Sequence, residues 1–315
     1  AGYPYIWKEE GMIYSVCAGG IAGICKKSNN GITVIDNCLV TGKIHISPCA
    51  DAYVGGITGY GGTFTRCKNY ADIDVYADSL TRYEYPSSHG YCGGITGHPN
   101  SVNGKIDMCT NYGNIFVAAG VFLYSGGISG IYGQISNSLN FGRIGGNLLH
   151  YGHSSTSFEN CNVGGIVGAT SSDFIKNCIN YGEIYGIDVS TNNSKYSGSG
   201  YGVSVGGICG DLAYYNGRLI SCYNLGKYIT ANQEHAVVGR IAGHCSNRSD
   251  CYSWEETFVN NSITTASSPT SDVSSNNVNG GNLTKEEMLK EETYKGFDFD
   301  NIWKIDSSVG GAVLK

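Results

Sequence analysis

The sequence predicts an all-β chain wound as a β-solenoid of about seven coils, with a short C-terminal cap of helix and strand. Three observations carry that expectation. Glycine supplies 47 of the 315 residues against 5 prolines, about twice ordinary glycine usage. A Gly-Gly-Ile-x-Gly motif begins at Gly19, Gly55, Gly93, Gly126, Gly164 and Gly206, with a worn copy at Gly239. The spacings between first glycines are 36, 38, 33, 38, 42 and 33 residues, the period of stacked supersecondary units.

Each element has its source in local pattern. Residues 13–259 hold the repeats, and no helical periodicity runs through them. Ile73 and Val75, like Ile115 and Val117, share one parity, while the residues between them vary. That alternation marks a half-buried strand. The paired glycines, represented by Gly56, Gly94, Gly127, Gly165 and Gly207, predict a corner or a close backbone approach where a Cβ would not fit. A second motif, Cys-x-Asn-Tyr-Gly-x-Ile, is complete from Cys109 and from Cys178. Its Asn and Gly suggest a turn through positive φ. In register, Asn111 and Asn180 belong to an amide ladder with Asn69, Asn140 and Asn224. Tyr70, Tyr112, Phe141 and Tyr181 form an aromatic row beside it. Seven coils at about 4.8 Å each give a rod of ~30–35 Å.

The remaining segments differ in composition. Residues 260–283 are rich in Ser, Thr, Asn and Gly and read as a linker or an extended strap. Residues 284–315 read as a cap that closes the open solenoid edge. Thr284 and Glu287 have the spacing of a capping box, which opens a short helix to about Glu292.

Composition also narrows function. Charged residues are 15% and the net charge is −6, so the basic footprint of a nucleic-acid binder is missing. No run of about 18 apolar residues is present to insert in a membrane. The 13 cysteines cannot all pair within one chain. Six recur at one repeat phase (Cys38, Cys67, Cys109, Cys178, Cys222 and Cys251), and Ser138 takes that place once. A position accepting Cys or Ser suits a small, buryable side chain. No close-spaced Cys pair signals zinc.

These repeats resemble the GLUG-motif family, with Ile where that family often has Leu, over roughly residues 16–256. Leu283 to Lys290 and Gly296 to Asp306 resemble the closing segment that often accompanies such repeats. Residues 1–12 then resemble the tail of an upstream module, through Ala1 to Ile6. The resemblance implies a large secreted or surface-anchored bacterial protein, often from an anaerobe, where exported thiols stay reduced. Relatives also occur beside some immunoglobulin A peptidases. The family implies no catalytic residue, and the partners it suggests include other domains of the parent polypeptide.

Function is expected at one edge. Three strand-to-Gly-Gly connections are 10–11 residues, but Ile73 to Gly93, Ile144 to Gly164 and Ile184 to Gly206 span 20 to 22. Insertions at one phase project from one edge of a solenoid. They bring Tyr83, Tyr85, Tyr91, Tyr151, Tyr196 and Tyr201 to that edge. Tyr in adaptable loops suits polar recognition, so the expected partner is a glycan or a host or matrix surface component. His89, His150, His153 and His235 share the phase without carboxylates at metal-ligand spacing, so no metal or cofactor is assigned. Asp72, Asp74 and Asp78 form an outward acidic cluster without a second carboxylate column beside them. No nucleophile elbow, phosphate loop or His-Glu-x-x-His motif occurs. The chain is therefore expected to be an extracellular adhesion or binding module and not an enzyme. A passive stalk and a β-helix carbohydrase are the alternatives.

Overall fold

The computed structural model describes residues 5–9, 12–25, 33–47, 51–77, 88–99, 104–149, 160–170, 174–188, 202–212, 217–232, 236–245, 247–260, 262–263 and 278–315. The chain winds through seven coils, and each coil gives one strand to each of five parallel sheets. The second coil shows the plan: Asp51–Gly55, Thr58–Tyr60, Thr63–Thr65, Lys68–Asn69 and Asp72–Ala77 lie in the first to fifth sheets in turn. Register is strict. Ile73 faces Ile44 and Ile115, and Gly93 faces Gly55 and Gly126. Even the corners continue the ladder, since Ile57, Ile95 and Ile128 each donate a backbone N–H to the isoleucine carbonyl one coil on. The β-solenoid expected from the repeat is the fold observed.

The repeat motifs build the interior. The isoleucines of the Gly-Gly-Ile corners (Ile57, Ile95, Ile128, Ile166, Ile208 and Ile241) are wholly buried in one apolar column, each worth about 1.5–3 kcal/mol of burial. They belong to a core shared with Phe64 and the Cys67–Cys109–Cys178–Cys222–Cys251 column, while Val54, Val75 and Val117 fill a second with Cys92 and Cys161. Between the two runs a seam of asparagine and glycine. Asn69, Asn111, Asn140 and Asn180 each donate Nδ2 to the Oδ1 of the next asparagine at 2.8–2.9 Å. Each also bonds the carbonyl two residues on in its own coil, at 2.8–2.9 Å. All five asparagines, Asn224 included, are fully buried, so these bonds replace the contacts with water that the amides lose. A Cβ on Gly127 would collide with the Gly165 carbonyl and the Asn140 amide. The paired glycine is thus a close approach, as expected.

The Asn-Tyr-Gly step corrects the expectation of a positive-φ turn. Asn111 and Asn140 lie in two-residue strands and turn inward. Gly142 is required because a Cβ there would strike the Gly113 carbonyl of the preceding coil. The left-handed residue sits elsewhere, just before the cysteine column: Asn37, Arg66, Met108, Asn137, Asn177, Ser221 and Asp250 have φ of 46 to 53°. At that kink the next side chain turns in and donates to the carbonyl two residues back. Cys109 does so to Asp107 at 3.3 Å, Cys178 to Lys176 at 3.3 Å, and Ser138 to Ser136 at 2.7 Å. Cys and Ser alternate there because both are small donors. No described cysteine forms a disulfide.

The ends differ from the sequence reading. Tyr5–Glu9 pairs antiparallel with Met12–Gly19 on the first sheet. Of residues 260–283, Gly281–Leu283 forms a strand parallel to the seventh coil, and Val278 accepts backbone bonds from Ile241 and Ala242. These residues begin an eighth turn over the stack. The cap, residues 284–315, does not close the edge. It lies along the outer flank of the fourth sheet, burying Met288, Tyr294 and Trp303 against Leu139, Ile179, Tyr223 and Leu225 of the fourth to sixth coils. The capping box forms, with Thr284 N–H on Glu287 Oε2 at 2.8 Å and Glu287 N–H on Thr284 Oγ1 at 3.2 Å. It opens two 3-10 turns, Glu287–Leu289 and Glu291–Thr293, rather than one helix, because Lys290 is extended between them. A hairpin, Trp303–Asp306 with Gly311–Leu314, completes the unit.

Candidate ligand-binding surface

The three long insertions leave the fifth sheet and re-enter the first, at Ala77 to His89, Leu148 to Asn160 and Asp188 to Gly202. They therefore share one edge. Tyr83, Tyr85, Tyr151, Tyr196 and Tyr201 lie outside the described residues, as do Asp78, His150, His153 and His235. Tyr91 is described, and it is a strand residue. His89–Gly93 alternates Cys92 and Gly90 inward with His89 and Tyr91 outward. Cys92 is fully buried, and burial pushes its thiol pKa up. Cys92 and His89 therefore lie on opposite faces.

Tyr91 is the middle rung of a ladder. Its ring stacks on Tyr53 at 4.7 Å and 7°, and on Tyr124 at 5.2 Å and 5°. A second column from the neighbouring sheet stands against it. Tyr60 meets Tyr53 edge-on at 5.5 Å, and His98 lies 4.9 Å from Tyr60 and 5.3 Å from Tyr132. The columns are this close because Gly59 and Gly97 allow the second strand of each coil to pass against the first: a Cβ on either would strike the Tyr53 or Tyr91 carbonyl region. At the margin His89 Nδ1 lies 3.3 Å from Asp51 Oδ1 and packs on Phe122 at 5.0 Å.

The electrostatics of this wall are nearly neutral. Burial raises the Tyr53 hydroxyl to about 12 and raises Tyr91 and Tyr60 as well. All three stay protonated donors at neutral pH. Burial lowers His98 to about 4, which leaves its imidazole uncharged. Burial likewise lowers His89 against the pull of Asp51, and raises Asp51 against the pull of His89. Parallel stacking has a chemical consequence. The ladder rings cover one another's faces, so a ligand meets ring edges rather than ring faces along the coil repeat.

Sequence reasoning reached Tyr91 and missed Tyr53, Tyr60, His98, Tyr124 and Tyr132. A signal was present: Tyr53, Tyr91 and Tyr124 each stand two residues before a Gly-Gly-Ile. The other aromatic row forms too. Tyr70, Tyr112, Phe141 and Tyr181 stack at 4.4 to 5.0 Å, and the flanking C-terminal unit takes its far end, where the Tyr181 hydroxyl donates to the Ala312 carbonyl. Of the acidic cluster, Asp74 pairs with His45 at 3.2 Å and Asp72 accepts the Asn114 N–H at 2.8 Å.

No family's sequence profile matches the chain, and no curated protein matches it. A solved structure of a Bacteroides ovatus protein, provisionally described as an immunoglobulin A1 protease, shares the fold with a TM-score of 0.54. It is 15% identical, and the match covers 96% of this chain and 86% of that one. The likeness shows the fold alone. It also corrects the expectation that this chain is not an enzyme: a protein of the same architecture is described as a protease, so this fold gives no ground for excluding catalysis.

Proposed function

We propose that this chain is a GLUG-type repeat module of a bacterial surface or secreted protein, and that it binds a glycan or a host or matrix component along its Tyr-rich edge. One observation carries the reading. The outward Tyr53–Tyr91–Tyr124 ladder, backed by Tyr60, His98 and Tyr132, adjoins the edge from which all three long insertions leave. Six side chains with apolar bodies and polar tips at one edge suit recognition of a polar surface. A second reading, a stalk that spaces other domains, draws on the ladders running through all seven coils.

The test is a retention screen of the folded chain against mucin glycans, plant polysaccharides and matrix proteins. It runs beside a chain with insertions 78–87, 150–159 and 189–200 shortened. Product release is followed in the same samples, so that turnover is read with binding. Retention that falls at least about tenfold on shortening, a difference of about 1.4 kcal/mol, supports the binding module. Equal retention by both chains sinks it, and no retention by either favours the stalk.

A further inference from the structure

On the other side of the loop edge from the tyrosine ladder, the outer face of the fifth sheet carries a second aromatic set. Its outward residues include Asp74 and Tyr76 in the second coil, Phe116 in the third, Asn147 in the fourth and Tyr185 in the fifth. Tyr76 and Phe116 lie 6.0 Å apart and are tilted by 58°, so neither ring covers the other's face. Phe116 and Tyr185 are 6.4 Å apart, a longer step than any in the tyrosine ladder. The Tyr185 ring lies down on the sheet over Gly145, which has no Cβ to hold it off. The Arg143 guanidinium sits 4.4 Å from the Tyr185 centroid.

Arg143 reaches Glu183 at 3.8 Å, the His45 Nδ1 lies 3.2 Å from Asp74 Oδ2, and Lys43 stands in register beside Asp72. One polar group is left over. The Oδ1 of Asn147 is buried and accepts no hydrogen bond. A buried acceptor without a donor costs about 1–3 kcal/mol, and native structures leave few of them.

We propose that this face is a binding subsite for an uncharged, hydroxyl-rich glycan chain. The C–H faces of its sugar rings lie on Phe116 and Tyr76, and one hydroxyl donates to Asn147 Oδ1 once the part-exposed amide turns that oxygen outward. This rests on the glycan-binding reading above and adds both a second contact face and a ligand class. An acidic polysaccharide needs a row of free cations, and here Arg143 is paired with Glu183 and Lys43 stands beside Asp72, while Asp74 adds a further carboxylate. An apolar peptide would strip water from Asp74, Arg143, Glu183 and Asn147 without replacing it. A sugar ring joins an apolar face to a hydrogen-bonding rim, which matches aromatic rings bordered by polar groups.

The experiment measures Kd for the full chain by calorimetry, with galactomannan and β-glucan as neutral probes and polygalacturonate and chondroitin sulfate as acidic ones. The expected result is binding of a neutral probe that changes less than about twofold between 50 and 500 mM salt, since no net charge is matched. Phe116→Ala is expected to weaken it about tenfold, and Asn147→Ala by about three- to tenfold. Tyr76→Ala, at a 37% exposed ring, is the variant least able to disturb folding, and circular dichroism checks each one. Salt-sensitive preference for an acidic probe overturns the ligand class. Neutral binding that survives Phe116→Ala and Tyr76→Ala but fails on loop shortening overturns the subsite and leaves the edge reading standing. Failure of every glycan to bind removes the edge reading's glycan and the subsite together.

Discussion

His98 stands in the aromatic wall between Tyr60 and Tyr132, where a charged imidazole would be poorly solvated. Burial therefore lowers its pKa from 6.5 to about 4. The unfolded chain takes up this proton near pH 6.5, while the folded chain resists it until about pH 4. The folded state then binds fewer protons, so stability is full above the unfolded pKa and is lost as pH falls through that window. Asp51 acts in the opposite sense, because burial raises its folded pKa. Comparing wild type with His98→Gln cancels that contribution. Between pH 7 and 4.5 the wild type should lose about 2 kcal/mol more than His98→Gln in urea unfolding, a figure discounted for partial exposure of the ring. Equal losses in the two chains would mean that the wall opens to solvent. At this scale little of the site was legible in the sequence. Tyr91 stood out because a long insertion precedes it, whereas Tyr53 and Tyr124 come after short connections, and insertion length says nothing about an outward strand position.

The seam of amides and glycines is one element although its parts are 13 to 17 residues apart in each coil. Asn140 accepts from Asn111, and donates to Asn180 and to the Gly142 carbonyl. Asn140→Ala should leave the Asn180 oxygen and the Gly142 carbonyl short of a donor, at a cost of about 2–4 kcal/mol. Gly127→Ala pushes a methyl into the same amide and into backbone that cannot move aside, and should cost about 3 kcal/mol or more. The pair is coupled: Asn140→Ala makes room for part of the new methyl. The double variant should therefore lose less than the sum of the singles in denaturant unfolding. Strict additivity would show that the two positions do not pack as one seam. This element was readable because its residues repeat in kind. The left-handed kink beside it was not, since Asn, Arg, Met, Ser and Asp share that position and no composition marks it. The helix of the C-terminal unit was misjudged for a local reason. A capping box fixes how a helix starts, but extended Lys290 ends the first turn at once.

In a stack of coils each turn touches only its neighbours, so stability is close to a sum of nearest-neighbour terms and the ends fray first. The C-terminal unit breaks that rule by running lengthwise. It takes a hydrogen bond to Asn137 of the fourth coil through Trp303 Nε1 at 3.4 Å. It accepts from Asn177 and Tyr181 of the fifth coil at 2.9 Å, and from the Tyr223 hydroxyl of the sixth at 2.8 Å. Lys295 adds an ion pair to Asp250, at the seventh coil, at 3.3 Å. Four coils are thereby tied to one body whose Trp303 is fully buried, so separating any of them must also break that shared contact. Deleting residues 284–315 should expose Leu139, Ile179, Tyr223 and Leu225 as one apolar strip. It should also free the fifth to seventh coils to open one by one. Backbone hydrogen exchange reads this directly. In the full chain the amides of the fourth to seventh coils should share one opening free energy. In the deleted chain protection should fall stepwise toward the seventh coil while the second and third coils keep theirs. Trp303→Ala should produce a weaker form of the same gradient, with about 3–5 kcal/mol lost overall. Equal protection across the coils of the deleted chain would mean that the stack is cooperative without its C-terminal unit, and that the unit serves only to cover the flank.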